Sequence, residues 1–386
     1  MEPDTSATGR GDLAVVLSGG GARAAYQVGV LLGLARHLPH ARFSIVVGVS
    51  AGAINAAFLG AHRGPLLDSC EDLARIWSGL HVEDIFRLDT PGLARNLLRW
   101  LRWATRLDSE NGGGPEVRGL VDTEPLRGTI RRAAATVDGE IIGIGRNLEA
   151  GRLKAIALIA LNYTTGQTVT FVQGGGLLPW NHPRRRTVHT RLGVEHVMAS
   201  SSLPLVFPAI RLGDNWYGDG GIRLSAPLSP ALRLGASRVL AVSAHYEPTP
   251  EEANRPQIAG YPPPAQVLSH LLDSVFLDVL DEDVRRMTAM NTLLRELPPD
   301  PDRPFRPVEI LPFRPSVDLG KLSAAYEPQL PEAFRLLTRS LGTRQTTTPD
   351  FLSYLMFQPD YLQKLIEIGK DDAESRLPEL RELVGE

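Results

Sequence analysis

Apolar residues near the start of the chain fall into two alternating patterns. Leu13 to Leu17 (LAVVL) is a short apolar run of strand length, closed by Ser18-Gly19-Gly20-Gly21. From Ala22 to Leu38 the period lengthens. Tyr26, Val30, Leu34 and Leu38 recur every four residues, which puts them on one face of a helix. Phe43 to Val47 (FSIVV) repeats the strand pattern, and Ala51 to Leu59 repeats the helical one. Apolar strands alternating with helices predict an α/β sheet covered on both faces.

The middle of the chain is less regular. Residues 108–116 (DSENGGGPE) read as a flexible loop. Lys154 to Tyr163 and Gln167 to Val172 read as strands, and the Thr164-Thr165-Gly166 between them predicts a hairpin. The sheet is therefore expected to be mixed. Ser237 to Ser243 is a further buried strand. Residues 247–264, rich in proline and acid, read as a surface loop. Ala265 to Leu294 predicts one long helix or two, residues 297–315 hold prolines around a strand at Val308 to Leu311, and the chain from Leu319 onward reads as helical. No internal repeat is present.

Composition narrows the classes. The 386 residues carry a net charge of -3, which gives no reason to expect nucleic acid as a partner. Cys70 is the sole cysteine, so an internal disulfide is excluded and a reducing compartment suits the chain. The opening MEPDTSATGRGD lacks a basic segment leading into an apolar one, and no apolar run has the length of a spanning helix. The expectation is a cytoplasmic protein that meets membrane only peripherally. No cluster of Asp, Glu and His has ligand spacing, so neither metal nor cofactor is expected.

The sharpest local signal is Gly48-Val49-Ser50-Ala51-Gly52, a G-x-S-x-G between an apolar strand and an apolar helix. That context suits a nucleophile elbow, in which glycines let the chain turn tightly around a strained serine at a helix N-terminus. Taken alone, the same residues also fit a turn of small residues that happens to contain serine.

Ser18-Gly19-Gly20-Gly21-Ala22-Arg23 has two chemical readings. Successive glycine N–H groups could hold an oxyanion. Alternatively, Gly19, Gly21 and Ala24 fit a dinucleotide-binding turn. Such a site needs an acidic residue about 20 positions further on. None occurs between Asp12 and Asp68, which argues against a nucleotide.

A serine nucleophile needs a base. Among the histidines, His245 is the one candidate for a triad, because it follows a strand; His182, His189 and His196 lie in a basic, polar stretch, and His270 lies in a predicted helix. The alternative is Asp219, flanked by glycines in Gly218-Asp219-Gly220-Gly221. A free Asp is a weak base, and burial beside a serine would raise its pKa toward the working range.

Gly19 to Arg23, the elbow at Ser50 and Asp219-Gly220-Gly221 occur in one order, with Ala199-Ser200-Ser201-Ser202-Leu203-Pro204-Leu205-Val206-Phe207-Pro208 between the last two. Each motif is weak alone, and the four together resemble the patatin-like phospholipase family, in its bacterial form, over about residues 12–230. The resemblance implies a three-layer α/β/α sandwich with a mixed, mostly parallel central sheet. It implies a Ser–Asp dyad of Ser50 and Asp219 without histidine, and an oxyanion loop at Gly19, Gly20 and Gly21. Arg23 matches that loop's basic position, with Gly48, Gly52, Gly220 and Gly221 as supporting residues. Ala24 stands where the family usually has glycine. On this reading the chain divides into a leader (1–11), a catalytic core (12–230), a completion of the α/β domain with proline-rich loops (231–320) and a helical C-terminal extension (321–386).

Residues 93–107 would form an amphipathic helix. Arg95, Arg99, Arg102 and Arg106 share one face, with Trp100 and leucines opposite. Such a helix suits an anionic bilayer or a lid, and equally an ordinary core-packing helix. Arg184-Arg185-Arg186 could contact lipid headgroups, and reads more readily as a solvated loop. The expected activity is hydrolysis of fatty acyl esters in the manner of a phospholipase A or lysophospholipase. The rivals are a lipid-binding regulatory protein on the same scaffold, and a Ser-His-Asp esterase using His245.

Overall fold

A computed structural model describes residues 11–87, 119, 121–176, 182–204, 206–256, 258, 260–298, 300, 305–332, 334–335 and 350–386. The leader up to residue 10, the amphipathic segment 93–107 and the loop 108–116 lie outside the described residues.

The chain begins with β1 (Asp12–Leu17), α1 (Ala24–His37), β2 (Ile45–Val49) and α2 (Ala51–Ala61). Next come α3 (Leu66–Ser78), α4 (Val82–Ile85) and α5 (Glu124–Ala133), then a small hairpin of β3 (Thr136–Val137) and β4 (Glu140–Ile141), then α6 (Ile142–Glu149). The hairpin β5 (Ala155–Asn162) and β6 (Gln167–Gly174) leads to β7 (Arg185–His189), α7 (Val194–Ser201), β8 (Ile210–Leu212) and β9 (Asn215–Asp219). After α8 (Ser229–Arg233) come β10 (Ala236–Val242), α9 (Pro250–Ala253), α10 (Pro264–Phe276), α11 (Asp278–Glu296) and β11 (Glu309–Phe313). The chain closes with α12 (Leu319–Ser323), α13 (Asp350–Leu355), α14 (Pro359–Ser375) and α15 (Leu377–Val384).

Nine strands form one sheet in the order β11-β10-β1-β2-β5-β6-β7, with β9 on β5 and β8 on β9. The ladders from β11 to β5 are parallel, and the β5–β6 hairpin is antiparallel, so the sheet is mixed and mostly parallel. Successive residues along a strand face opposite ways, and both faces are covered. Leu13, Val15 and Leu17 of β1 join Ile156 and Leu158 of β5 in one apolar layer under α1, α2 and α3. Ala14 and Val16 join Ala155 and Ala157 in the other, under α8 and α11. This is the expected three-layer α/β/α sandwich with helices in its C-terminal region.

That region packs on the first helix. Residues Ala24 to Ala35 are all buried, and α14 runs along α1 to cover them. Small residues permit the approach. A Cβ built on Gly29 would meet Gly369 Cα at 3.0 Å, and one on Gly33 would meet Ala373 Cβ at 2.7 Å.

Several sequence expectations shift. The stretch Ala265 to Leu294 is two helices, broken at Leu277 with φ -110° and ψ -50°. Arg185 and Arg186 belong to a strand rather than a loop, because their backbone pairs with Thr168 and Val169 of β6. The proline-rich stretch 247–264 contains the short helix α9, capped by Thr249, whose hydroxyl accepts from the Glu252 N–H. No described helix is long and apolar enough to cross a membrane.

Candidate active site

β2 ends at Val49, and the chain reverses at Ser50 with φ 57° and ψ -131°. Among the described residues only Ser50 and Asp138 hold positive φ without being glycine. This region is costly for a residue with a Cβ, so the surroundings must hold it. The Ser200 hydroxyl accepts from the Ser50 N–H at 3.1 Å and donates to the Ile159 carbonyl at 2.6 Å, which anchors the elbow to β5. Gly48 and Gly52 supply the space. A Cβ on Gly48 would meet Ala56 Cβ at 2.6 Å, and one on Gly52 would meet Leu17 carbonyl carbon at 2.7 Å.

Sheet register brings Asp219 to the same place. β2 pairs along β5 as far as Val49 opposite Ile159. β9 then takes over the edge of β5, with Asp219 opposite Ala160. The Asp219 N–H donates to the Ser202 carbonyl at 3.0 Å, so one short segment, Ser200 to Ser202, ties down both Ser50 and Asp219. Gly220 fits because a Cβ there would meet Ala160 N at 3.0 Å on β5, and Gly221 because one would meet Phe276 Cδ1 at 2.5 Å.

Asp219 is fully buried. Its Oδ1 accepts from the Gly221 N–H at 2.9 Å, while Oδ2 makes no full hydrogen bond among the described residues. Burial drives its pKa up to about 7, against the opposing pull of the Ser50 hydroxyl and the Gly221 amide. A carboxylate poised there has the basicity that general-base chemistry near neutrality needs.

Gly19, Gly20 and Gly21 curl past the serine. A Cβ on Gly19 would stand 3.1 Å from Ser50 Cβ. Gly20 and Gly21 take φ 147° and 57°, and a side chain at Gly21 would strike the Tyr354 carbonyl. The N–H groups of these three glycines take part in no hydrogen bond among the described residues.

Arg23 points away from this loop. Its Nε donates to Ser353 Oγ at 2.6 Å, its NH2 pairs with Asp350 Oδ1 at 2.5 Å, and its guanidinium lies 4.7 Å from the Tyr354 ring centroid. The buried cation binds α13 to the glycine loop. Asp273, whose Oδ1 accepts from the Tyr354 hydroxyl at 2.9 Å, has its pKa raised to about 6, by burial first and by Asp350 against the pull of Arg23.

Ser50, Gly20 and Gly21 open onto an apolar cavity between α2, α3 and α5. Trp77, Leu80, Ile130, Phe276 and Phe357 line it, and Tyr354 and Leu355 bring α13 into its wall. No local pattern marks these wall residues, because they converge from distant segments, from Trp77 to Phe357. Ser200 stood within a singled-out motif, yet its role becomes visible only through its contacts.

The histidine alternative is not assembled. His245 Nδ1 sits 2.8 Å from Asp281 Oδ2 and its Nε2 sits 3.6 Å from Asp278 Oδ1. Both ring nitrogens face carboxylates of α11, and neither faces Ser50. His189 ends β7, and His196 packs edge-on against the Phe171 ring at 4.9 Å.

The mixed sheet of the α/β/α sandwich thus carries a serine turn at the mouth of an apolar cavity. The profile of the Patatin-like phospholipase family matches residues 15–232, more than half of the chain, and the chain belongs to that family. No curated protein matches the sequence. Among solved structures, VipD from Legionella pneumophila is 13% identical, with a TM-score of 0.38 over 96% of this chain and 67% of that one. Human GIVD cytosolic phospholipase A2 is 13% identical, with a TM-score of 0.45 over 97% of this chain. The same human protein in complex with methyl gamma-linolenyl fluorophosphonate is 14% identical, with a TM-score of 0.40. The chain spans 63% and 59% of the length of these two human structures.

Proposed function

We propose that the protein hydrolyses fatty acyl esters of lipids, with Ser50 as nucleophile and Asp219 as its base. One observation carries the reading. Ser50 stands on its strained turn at the cavity mouth, and its hydroxyl pulls against the raised pKa, about 7, of the fully buried Asp219 carboxyl. The Ser50 oxygen attacks the ester carbonyl carbon while Asp219 takes the hydroxyl proton. The Gly19 to Gly21 amides hold the negative oxygen of the tetrahedral intermediate. The ester C–O bond breaks, and Asp219 returns the proton to the leaving alcohol. Water then attacks the acyl-enzyme, giving up a proton through Asp219, and the fatty acid leaves as Ser50 is reprotonated.

The apolar wall from Ile54 to Phe357 suits an acyl chain, and that lining supports the substrate class. Contact with the membrane is peripheral in this reading, since the substrate itself resides there. The test is fatty-acid release from mixed phospholipid vesicles, followed by mass spectrometry for wild type, Ser50→Ala and Asp219→Asn. Release by wild type alone is the expected result. Undiminished release by Ser50→Ala, or no release and no labelling of Ser50 by a fluorophosphonate, would overturn the reading.

A further inference from the structure

The glycine loop is held from behind, one peptide plane at a time. The Ser18 carbonyl accepts from Gln27 Nε2 at 2.8 Å, the Gly19 carbonyl from the Ser18 hydroxyl at 3.1 Å, and the Gly20 carbonyl from the Arg23 N–H at 3.1 Å. No peptide bond among the described residues is cis. In a trans plane the carbonyl and the following N–H point to opposite sides. Fixing these three carbonyls therefore fixes the directions of the Gly19, Gly20 and Gly21 amides.

Two of these ties are local to the loop, and the third comes from a fully buried side chain on α1. Gln27 also lies 3.5 Å from Ser18 Oγ, the group that holds the Gly19 carbonyl, so it supports two planes at once. Its orientation is dictated by a chain of donors. The Trp77 indole N–H, which can only donate, bonds Asn55 Oδ1 at 2.8 Å. Asn55 Nδ2 must then face acceptors, and it bonds the Ala24 carbonyl at 3.1 Å and Gln27 Oε1 at 3.0 Å. Gln27 is left with its amide nitrogen toward Ser18. Trp77, at the far end, forms part of the cavity wall. The relay thus runs from the acyl-chain side of the cavity to the amides beside Ser50.

We propose that Gln27, oriented by Asn55 and Trp77, is a positioning residue that presets the glycine-loop amides for the oxyanion of an ester carbonyl. This rests on the reading of Ser50 as nucleophile and of the loop as its oxyanion hole.

The experiment compares p-nitrophenyl octanoate with its thiono analogue, in which sulfur replaces the carbonyl oxygen, for wild type, Ser50→Ala and Gln27→Met. Sulfur is a weak hydrogen-bond acceptor, so a loss that acts through the oxyanion hole must be smaller on the thionoester. Gln27→Met keeps the length of the side chain and removes its donor. Its kcat on the oxoester is expected to fall about tenfold or more with KM nearly unchanged, and to fall much less on the thionoester. The ratio of the two rates is independent of how much of the variant is folded. Should Gln27→Met not accumulate, Trp77→Phe, which deletes the first donor of the relay, is expected to move the same ratio in the same direction. Equal losses on both esters, or no loss, would overturn the inference while leaving the nucleophile in place. Hydrolysis that survives Ser50→Ala would instead remove the parent reading, and this one with it.

Discussion

Ser50 and Ser200 lie 150 residues apart, yet the hydroxyl of one receives the backbone N–H of the other at 3.1 Å. The Ser200 hydroxyl in turn donates to the Ile159 carbonyl at 2.6 Å, so a single buried hydroxyl joins the elbow to the central strand β5. Ser200→Ala leaves a buried N–H and a buried carbonyl each short of a partner. The expected cost is about 1–3 kcal/mol of stability and about a tenfold loss in kcat as Ser50 relaxes from its positive φ. Urea denaturation and ester hydrolysis measure the two effects. Wild-type values for both would mean that Ser200 does not brace the elbow.

Activity and stability should respond to pH in opposite directions. Asp219 accepts a proton only when ionised, so kcat/KM is expected to rise with pH around a midpoint near the carboxyl's pKa of about 7. Folding has raised that pKa from 3.8, which means the folded state holds this proton more tightly than the unfolded chain. Asp219 therefore costs stability progressively as pH climbs from 3.8 to about 7. Asp219→Asn is expected to lose turnover and to melt above wild type at about pH 8, with the gap closing toward about pH 4. A gap that does not depend on pH would show that the carboxyl is not its source.

Arg23 should behave as a buried clamp. Removing it strands Asp350 and Asp273 beside each other without their cation. Arg23→Ala is expected to cost roughly 3–5 kcal/mol by urea denaturation. Arg23→Lys should recover only part of this, because a point charge cannot serve Ser353 and Asp350 as a planar fork does. Full stability in Arg23→Lys would reduce the clamp to simple charge pairing.

The cavity wall should set acyl-chain length. Phe357 and Trp77 stack with centroids 6.3 Å apart and planes inclined at 25°. Phe357→Leu removes part of that wall without emptying it. Activity profiles on p-nitrophenyl esters from hexanoate to palmitate should shift toward longer chains, by roughly tenfold in relative kcat/KM. An unshifted profile would mean that the acyl chain does not reach Phe357.

The candidate site motifs were legible in the sequence because each is local. An elbow needs its glycines within two residues of the serine, and a glycine turn advertises itself between a strand and a helix. The strands β1 and β10 were legible because both of their faces are apolar. Other elements left weaker traces. β7 (RRTVH) is an edge strand whose side chains are half exposed, so its composition is that of a loop. α5 buries only Leu126 and Ile130 among charged neighbours and a glycine, which gives little helical signal. The break at Leu277 carries neither glycine nor proline. Ser200, Gln27 and Asn55 could not be assigned roles from the chain, because their partners are set by tertiary contact alone.

Arg23 meets Ser353 across 330 residues, and α14 lies along a helix that opens the sandwich. During synthesis the elbow, the glycine loop and the acid therefore leave the ribosome well before the segment that completes the cavity wall and covers α1. A growing chain at that stage holds Ser50, Asp219, the glycines and the walls from α2, α3 and α5, and lacks the side that α13 and Phe357 close. The last side of the cavity is thus added only after the serine turn, the glycine loop and the acid have already been made.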